Sequence, residues 1–236
     1  MPLPQKRRTA TKSEDTPREP RGTRRKRETR TRLLDAALKL MAKKGMEGVA
    51  INEITEAADV GFGSFYNYFD SKETIHAELV KHVFVGFSDQ LDALADDLDD
   101  PAEVIAVAIR HTLLRARREP TWGQFLMREG LSARLFDRSE RLMRDVQRGI
   151  ASKRFTITDP LMNTLAVGGM ILTATATLSL ATESQSASVT LGKGRFNLDE
   201  LPERAAAVAL GILGLTSKEA EKVVRRSLPP IASTSP

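Results

Sequence analysis

Cysteine is absent from the 236-residue chain. That excludes disulfides, thiolate metal sites and thiol nucleophiles, and it fits a reducing, cytoplasmic setting. Histidine is confined to His76, His82 and His111, with no pair at metal-ligand spacing on a helix, so neither a metal site nor a cofactor is expected. No Ser/His/Asp arrangement stands out, and Gly61-Phe62-Gly63 is not followed by the Gly-Lys-Ser/Thr of a phosphate-cradling loop. An enzyme is therefore not expected. The N-terminus is basic from the start and has no apolar stretch, so no secretory signal peptide is expected. Aromatics are few (one Trp, two Tyr, nine Phe), yet five crowd into residues 62–69.

Charge is distributed unevenly. Residues 1–32 hold 12 Lys/Arg against 4 Asp/Glu, a net +8; with +5 for the whole chain, the remainder carries −3. A basic end beside an acidic body fits a polyanion held by one end of the protein, although a basic tail can also serve solubility alone. Residues 1–22 contain four prolines and almost nothing apolar, and read as a disordered basic arm.

From Thr23 the pattern turns helical. Leu34, Leu38 and Met41 recur at three- and four-residue spacing, and Lys43-Lys44-Gly45 supplies cations and a glycine stop. A short helix is expected over 51–58 and another of two turns over 64–69. Asp70, with Glu73 three residues on, is expected to cap a long helix that runs to the acidic stretch 96–100. Helices follow at 102–118, near 120, and at 139–152. Residues 160–182 carry no charge. They are long enough to span a bilayer, but their Asn and many hydroxyls favour a helix buried on most sides. Residues 201–215 form an alanine-rich helix; 184–196 read as a mobile loop and 227–236 as a frayed tail. The fold class is all-α: a helix-turn-helix unit at 23–71 precedes a larger helical body at 72–226.

Two short helices joined by a turn have the length of a DNA-reading unit, in which the second helix enters the major groove. Phe65 and Phe69, four apart, can anchor that helix inward, leaving Ser64, Tyr66, Asn67 and Tyr68 outward or at the edge. Hydroxyl, amide and phenol groups bond phosphates and base edges. Lys72 adds a cation where helix N–H groups already favour an anion.

At these residues the sequence resembles the TetR family of bacterial repressors. Leu33-Leu34-Asp35-Ala36-Ala37, Lys44-Gly45, residues 51–60 and above all Gly63-Ser64-Phe65-Tyr66-Asn67-Tyr68-Phe69-Asp70-Ser71-Lys72-Glu73 carry the likeness, over about fifty residues. It implies a homodimer whose heads bind palindromic double-stranded DNA and whose bodies bind a small-molecule effector that releases the DNA. Tyr66 and Lys72 would meet phosphates, and Ser64, Asn67 and Tyr68 backbone or bases. Arg24, Arg25, Lys26, Arg27, Ala50, Asn52, Gly63 and Phe65 complete the candidate DNA-binding set. The chain departs from the family at Ala50 and Gly61, where capping Thr and Ser are usual, and at Asp59, where a turn glycine is usual.

In the body, His111, Trp122, Phe125, Met127, Arg128, Leu131 and Met143 are candidate pocket residues, although the same pattern also suits plain core. Leu165, Gly169, Leu172 and Ala176, with Ala205, Val208 and Ile212, are candidates for a four-helix dimer interface. The rival reading has no membrane span but places the basic arm on anionic lipid or other polyanions nonspecifically.

Overall fold

The computed structural model describes residues 20–130 and 140–231. Most of the expected arm and the pocket candidate Leu131 lie outside them. The chain begins with α1 (Arg21–Lys44), α2 (Ile51–Ala57) and the single-turn α3 (Phe62–Phe65). The long helix then starts as α4 (Lys72–Val80), passes through a π-helical turn at Lys81–Val85 and continues as α5 (Gly86–Asp96). The body adds α6 (Pro101–Arg118), α7 (Pro120–Gly130), α8 (Glu140–Ala151), α9 (Pro160–Glu183), α10 (Leu201–Ile212) and α11 (Ser217–Val224).

Local chemistry explains the boundaries. α1 stops where Gly45 takes φ +75 and donates its N–H to the Met41 carbonyl (2.8 Å). α6 and α9 both begin with proline at a position needing no N–H, each preceded by a capping aspartate. Asp100 accepts from the Ala102 N–H and Asp159 from that of Met162, both at 3.0 Å. Thr216 and Glu219 form a reciprocal capping box at α11. The cap of α4 is Ser71, whose hydroxyl accepts from the Thr74 N–H at 3.2 Å, and not the expected Asp70. Ser71 has the extended backbone of a cap residue (φ −157, ψ 172), which places its own oxygen over the third N–H.

Three other segments depart from expectation. Residues 184–196 are not simply a loop, because Ser188–Leu191 and Gly194–Asn197 pair as an antiparallel hairpin, β1 and β2. The hairpin has four residues per strand, too short an alternation to stand out from a loop. Its signal was Val189 and Thr190 before Gly192, whose φ of +59 suits the first central position of a two-residue turn. Residues 217–224 form a separate last helix, because Gly214 breaks the apolar run at φ +93. The tail up to Ile231 is docked, not frayed. His111 donates from Nε2 to the Pro229 carbonyl (2.9 Å) and Ile231 packs on the core. Burial leads the effects that hold the His111 pKa below its ordinary value.

Two apolar clusters hold the chain together. One joins α6, α8, α9, α10 and α11 through residues such as Ile109, Leu113, Val146, Leu178 and Leu210. The other fills the N-terminal helices with Leu33, Met41, Ile54, Phe65, Phe69, Ile75 and Leu79, and continues without a break into Trp122 and Phe125 of α7. The core therefore crosses the expected boundary at residue 72.

Candidate nucleic-acid interface and effector cavity

The first three helices and the start of α4 form the head. Arg30 binds Glu78 and lies over the Phe69 ring (5.2 Å), fastening α1 to α4. Lys44 pairs with Glu53, whose other oxygen accepts the Ala50 N–H at 3.0 Å. That backbone bond first, then Lys44, holds the Glu53 carboxyl below its ordinary pKa. Ala50 provides no side-chain cap, so Glu53 secures the start of α2 alone. Asp59 occupies the left-handed region (φ +53) at the turn usually filled by glycine.

The recognition segment begins two residues earlier than expected and has one helical turn instead of two. Ser64 donates its N–H to Gly61 (2.8 Å), and after α3 the chain continues as a hydrogen-bonded turn with Tyr68 N–H on Phe65 (2.9 Å). Phe65 and Phe69 lie buried with ring centroids 5.7 Å apart. They set the segment's angle to α1 and α4. Phe65 is fully buried, so it cannot touch DNA and leaves the contact set. Tyr66, Asn67, Gly63, Ala50 and Asn52 are exposed, as are Arg24, Arg25, Lys26 and Arg27 along α1; Ser64, Tyr68 and Lys72 are half-buried.

Phe62 was missed as a candidate. It is 54% exposed at the start of α3, edge-on to Tyr66 at 5.8 Å. The signal was available, because only two of five clustered aromatics fit one inward face. A ring displayed beside polar groups suits a thymine methyl. Phe62→Ala should reduce the operator-to-random affinity ratio by roughly 1 kcal/mol while leaving head stability nearly unchanged. Paired anisotropy titrations at fixed salt check this, and an equal loss on both DNAs would exclude base reading.

In the body, a cavity of about 420 Å³ lies among α5, α6, α7 and α8 and the π turn. Phe84, Phe87, Leu91, Trp122, Leu126 and Leu142 form its apolar walls, and Asp92, Arg141 and Arg144 form a polar corner. Both arginines donate to one Asp92 oxygen, at 2.7 and 2.6 Å. Beside them Asp145 is buried, and its Oδ2 has no hydrogen-bond donor among the described residues. Burial, against the pull of Arg141 and Arg144, pushes its pKa above the ordinary carboxylate value.

Of the described candidate pocket residues, only Trp122 lines this cavity. His111 lines a separate space of about 630 Å³ under the tail. Phe125 is core, stacked on Phe84 at 5.9 Å. Met127 and Met143 are half-buried, the latter accepting a long bond from the Thr164 hydroxyl (3.7 Å). Arg128 points away to α1. The polar corner went unnoticed because Asp92 and the two arginines stand some fifty residues apart on helix faces that read as solvated.

The dimer candidates divide in the same way. Gly169 is exposed with no described residue within 4 Å of where a Cβ would stand, and Val208, Leu161, Met162 and Leu180 also leave apolar surface uncovered. Leu165, Leu172, Ala176 and Ile212 are half-buried. Ala205, 5% exposed, belongs to the subunit's own core and leaves the interface set.

Comparison with known proteins matches this architecture. The family model described as "Bacterial regulatory proteins, tetR family" matches residues 33–79, and "Tetracyclin repressor-like, C-terminal domain" matches residues 100–226. The chain belongs to the TetR family of bacterial transcriptional regulators. Among curated relatives, the repressor NicS of Pseudomonas putida is 28% identical over 116 residues, 49% of this chain and 55% of that protein. KstR2 of Rhodococcus jostii is 36% identical over 83 residues, 33% and 39% respectively. The chain thus spans about half or less of the length of these relatives. The crystal structure of RolR with its ligand resorcinol covers 89% of this chain and 100% of its own, with 30% identity and a TM-score of 0.61.

Proposed function

We propose that this chain is a homodimeric, cytoplasmic repressor that binds a palindromic operator and is released by a small hydroxylated aromatic molecule. It acts by binding and not by catalysis. The observation that carries this reading is the division of the 62–72 segment: Phe65 and Phe69 anchor it while Phe62, Tyr66 and Asn67 face outward. Such a division suits a surface presented to DNA, and Lys72 at the start of α4 adds a phosphate contact. The lipid and polyanion alternative gains nothing from the family membership.

The cavity supports the effector class. Flat aromatic walls suit an aromatic ring, and the corner offers arginine donors with carboxylate acceptors for hydroxyl groups. RolR, the relative crystallised with resorcinol, makes that compound the first probe. Operator binding is tested by titrating the dimer with DNA from upstream of its own gene and with random DNA, with and without resorcinol. Specific binding should exceed nonspecific by about 10³ or more. A ratio near one would favour the polyanion alternative; intact operator binding with no resorcinol effect would overturn the effector class alone.

Asp145→Asn separates stability from sensing. The wild-type pKa is raised by burial, so the ionised form is the disfavoured one, and its destabilising effect is present above the folded pKa and relieved as pH falls through it. The amide lacks that charge and should raise Tm at neutral pH while weakening the resorcinol response by up to about tenfold, through Arg141 and Arg144, which Asp145 faces at 3.7 and 3.8 Å. Thermal melts and anisotropy decide it; an unchanged response would remove Asp145 from the site.

A further inference from the structure

α7 touches four parts of the molecule. Trp122 and Leu126 wall the effector cavity. Gly123 and Gly130 admit Ser179 and Leu172 of α9 so closely that a Cβ at either position would collide with them. Toward the connecting helix, Trp122 donates from Nε1 to the Val83 carbonyl in the π turn (3.3 Å), and Glu129 bonds His76 of α4 (2.8 Å) where both are nearly buried. Toward the head, Arg128 donates from Nε to the Ala42 carbonyl (2.6 Å) and from its terminal nitrogen to that of Lys43.

These carbonyls belong to the last turn of α1, where no intrahelical donor reaches them and the helix dipole is negative. A guanidinium fork satisfies two at once and favours that end electrostatically. The Lys ammonium, a compact charge, lacks the planar fork that spans two neighbouring acceptors. Arg128 is also on the same rigid helix as Trp122 and Leu126, within two turns of both. A ligand that moves the cavity wall therefore moves the clamp.

We infer that Arg128 is the positioning residue that fixes the head's angle to the body and carries cavity occupancy to the DNA-binding surface. It contacts neither DNA nor effector; it acts through the end of α1. The coupling arm of this inference rests on the effector reading above, whereas its geometric arm does not.

The geometric arm uses ligand-free dimers and operators whose half-sites are moved apart by one base pair. A wild-type dimer with fixed heads should lose about tenfold in affinity, the order of one mismatched position. Arg128→Ala should lose under about threefold on the same change, with Arg128→Lys between them. The coupling arm compares operator Kd with and without resorcinol. The wild type should fall in the ~5–150-fold range of linked sites and Arg128→Ala near one, with resorcinol affinity for the DNA-free dimer unchanged. Arg128 is exposed, so folded dimers are expected; should the alanine variant not assemble, the lysine variant decides. A spacing penalty equal to wild type in the folded variant overturns the inference, whatever the effector proves to be. Absence of any resorcinol effect on wild type would count only against the effector class, leaving the spacing result to decide.

Discussion

Gly169→Arg is expected to give a folded monomer that no longer holds its operator. No described residue of its own subunit lies within 4 Å of where a Cβ at Gly169 would stand, so the arginine has room in the monomer. In a dimer packed through α9, the same side chain would bury an unpaired charge at about 3–5 kcal/mol, once in each subunit. A single head then binds a half-site without the second head held nearby, a loss of roughly 10²–10⁴ in affinity. Sedimentation, circular dichroism and operator titration read the three parts together. A stable Gly169→Arg dimer would place the interface elsewhere. Ala174→Asp makes a poor probe of the same idea, because Ala174 is only 7% exposed within its own subunit and lies in the body core.

The second large effect is on folding. Gly214 has φ +93, and a Cβ there would overlap the Thr156 carbonyl oxygen and crowd the Thr156 backbone N at 3.0 Å. Backbone cannot swing aside as a flexible side chain can. Strain and collision together should make Gly214→Ala cost about 3–5 kcal/mol. It should lower Tm by about 6–20 °C on a domain of this size, at ~2–4 °C per kcal/mol. Differential scanning calorimetry tests this, and a drop of only a degree or two would mean that the loop between α8 and α9 yields.

Much of this architecture could be read from periodicity. The spacing of Leu34, Leu38 and Met41 locates α1, and Phe65 with Phe69 sets the inward face of the recognition segment. What periodicity missed was decided by single contacts. Ser71 caps α4 instead of Asp70 because one backbone angle places its hydroxyl over Thr74. The hairpin at 188–197 is too short for an alternating pattern to stand out against its polar neighbours. The candidate pocket failed for a geometric reason: Trp122, Phe125 and Arg128 are spaced by three along α7, and successive steps of three turn them progressively away from one another. They face the cavity, the core and α1 respectively. Asp92, Arg141 and Arg144 meet only when α5 and α8 pack, and no local pattern announces such a meeting.

The π turn at Lys81–Val85 has a consequence for length changes in the chain. A π turn accommodates one more residue than an α turn. Deleting a single residue there would let the helix run on as regular α with both flanks on their present faces, whereas inserting one more would turn the helix beyond it by about 100°. After such an insertion Phe87 and Leu91 would be out of phase with Ile75 and Leu79, which pack in the head. A codon gained beside the π turn would thus twist cavity against head without altering a residue on either surface, whereas one lost at Lys81 or His82 should be absorbed by the turn.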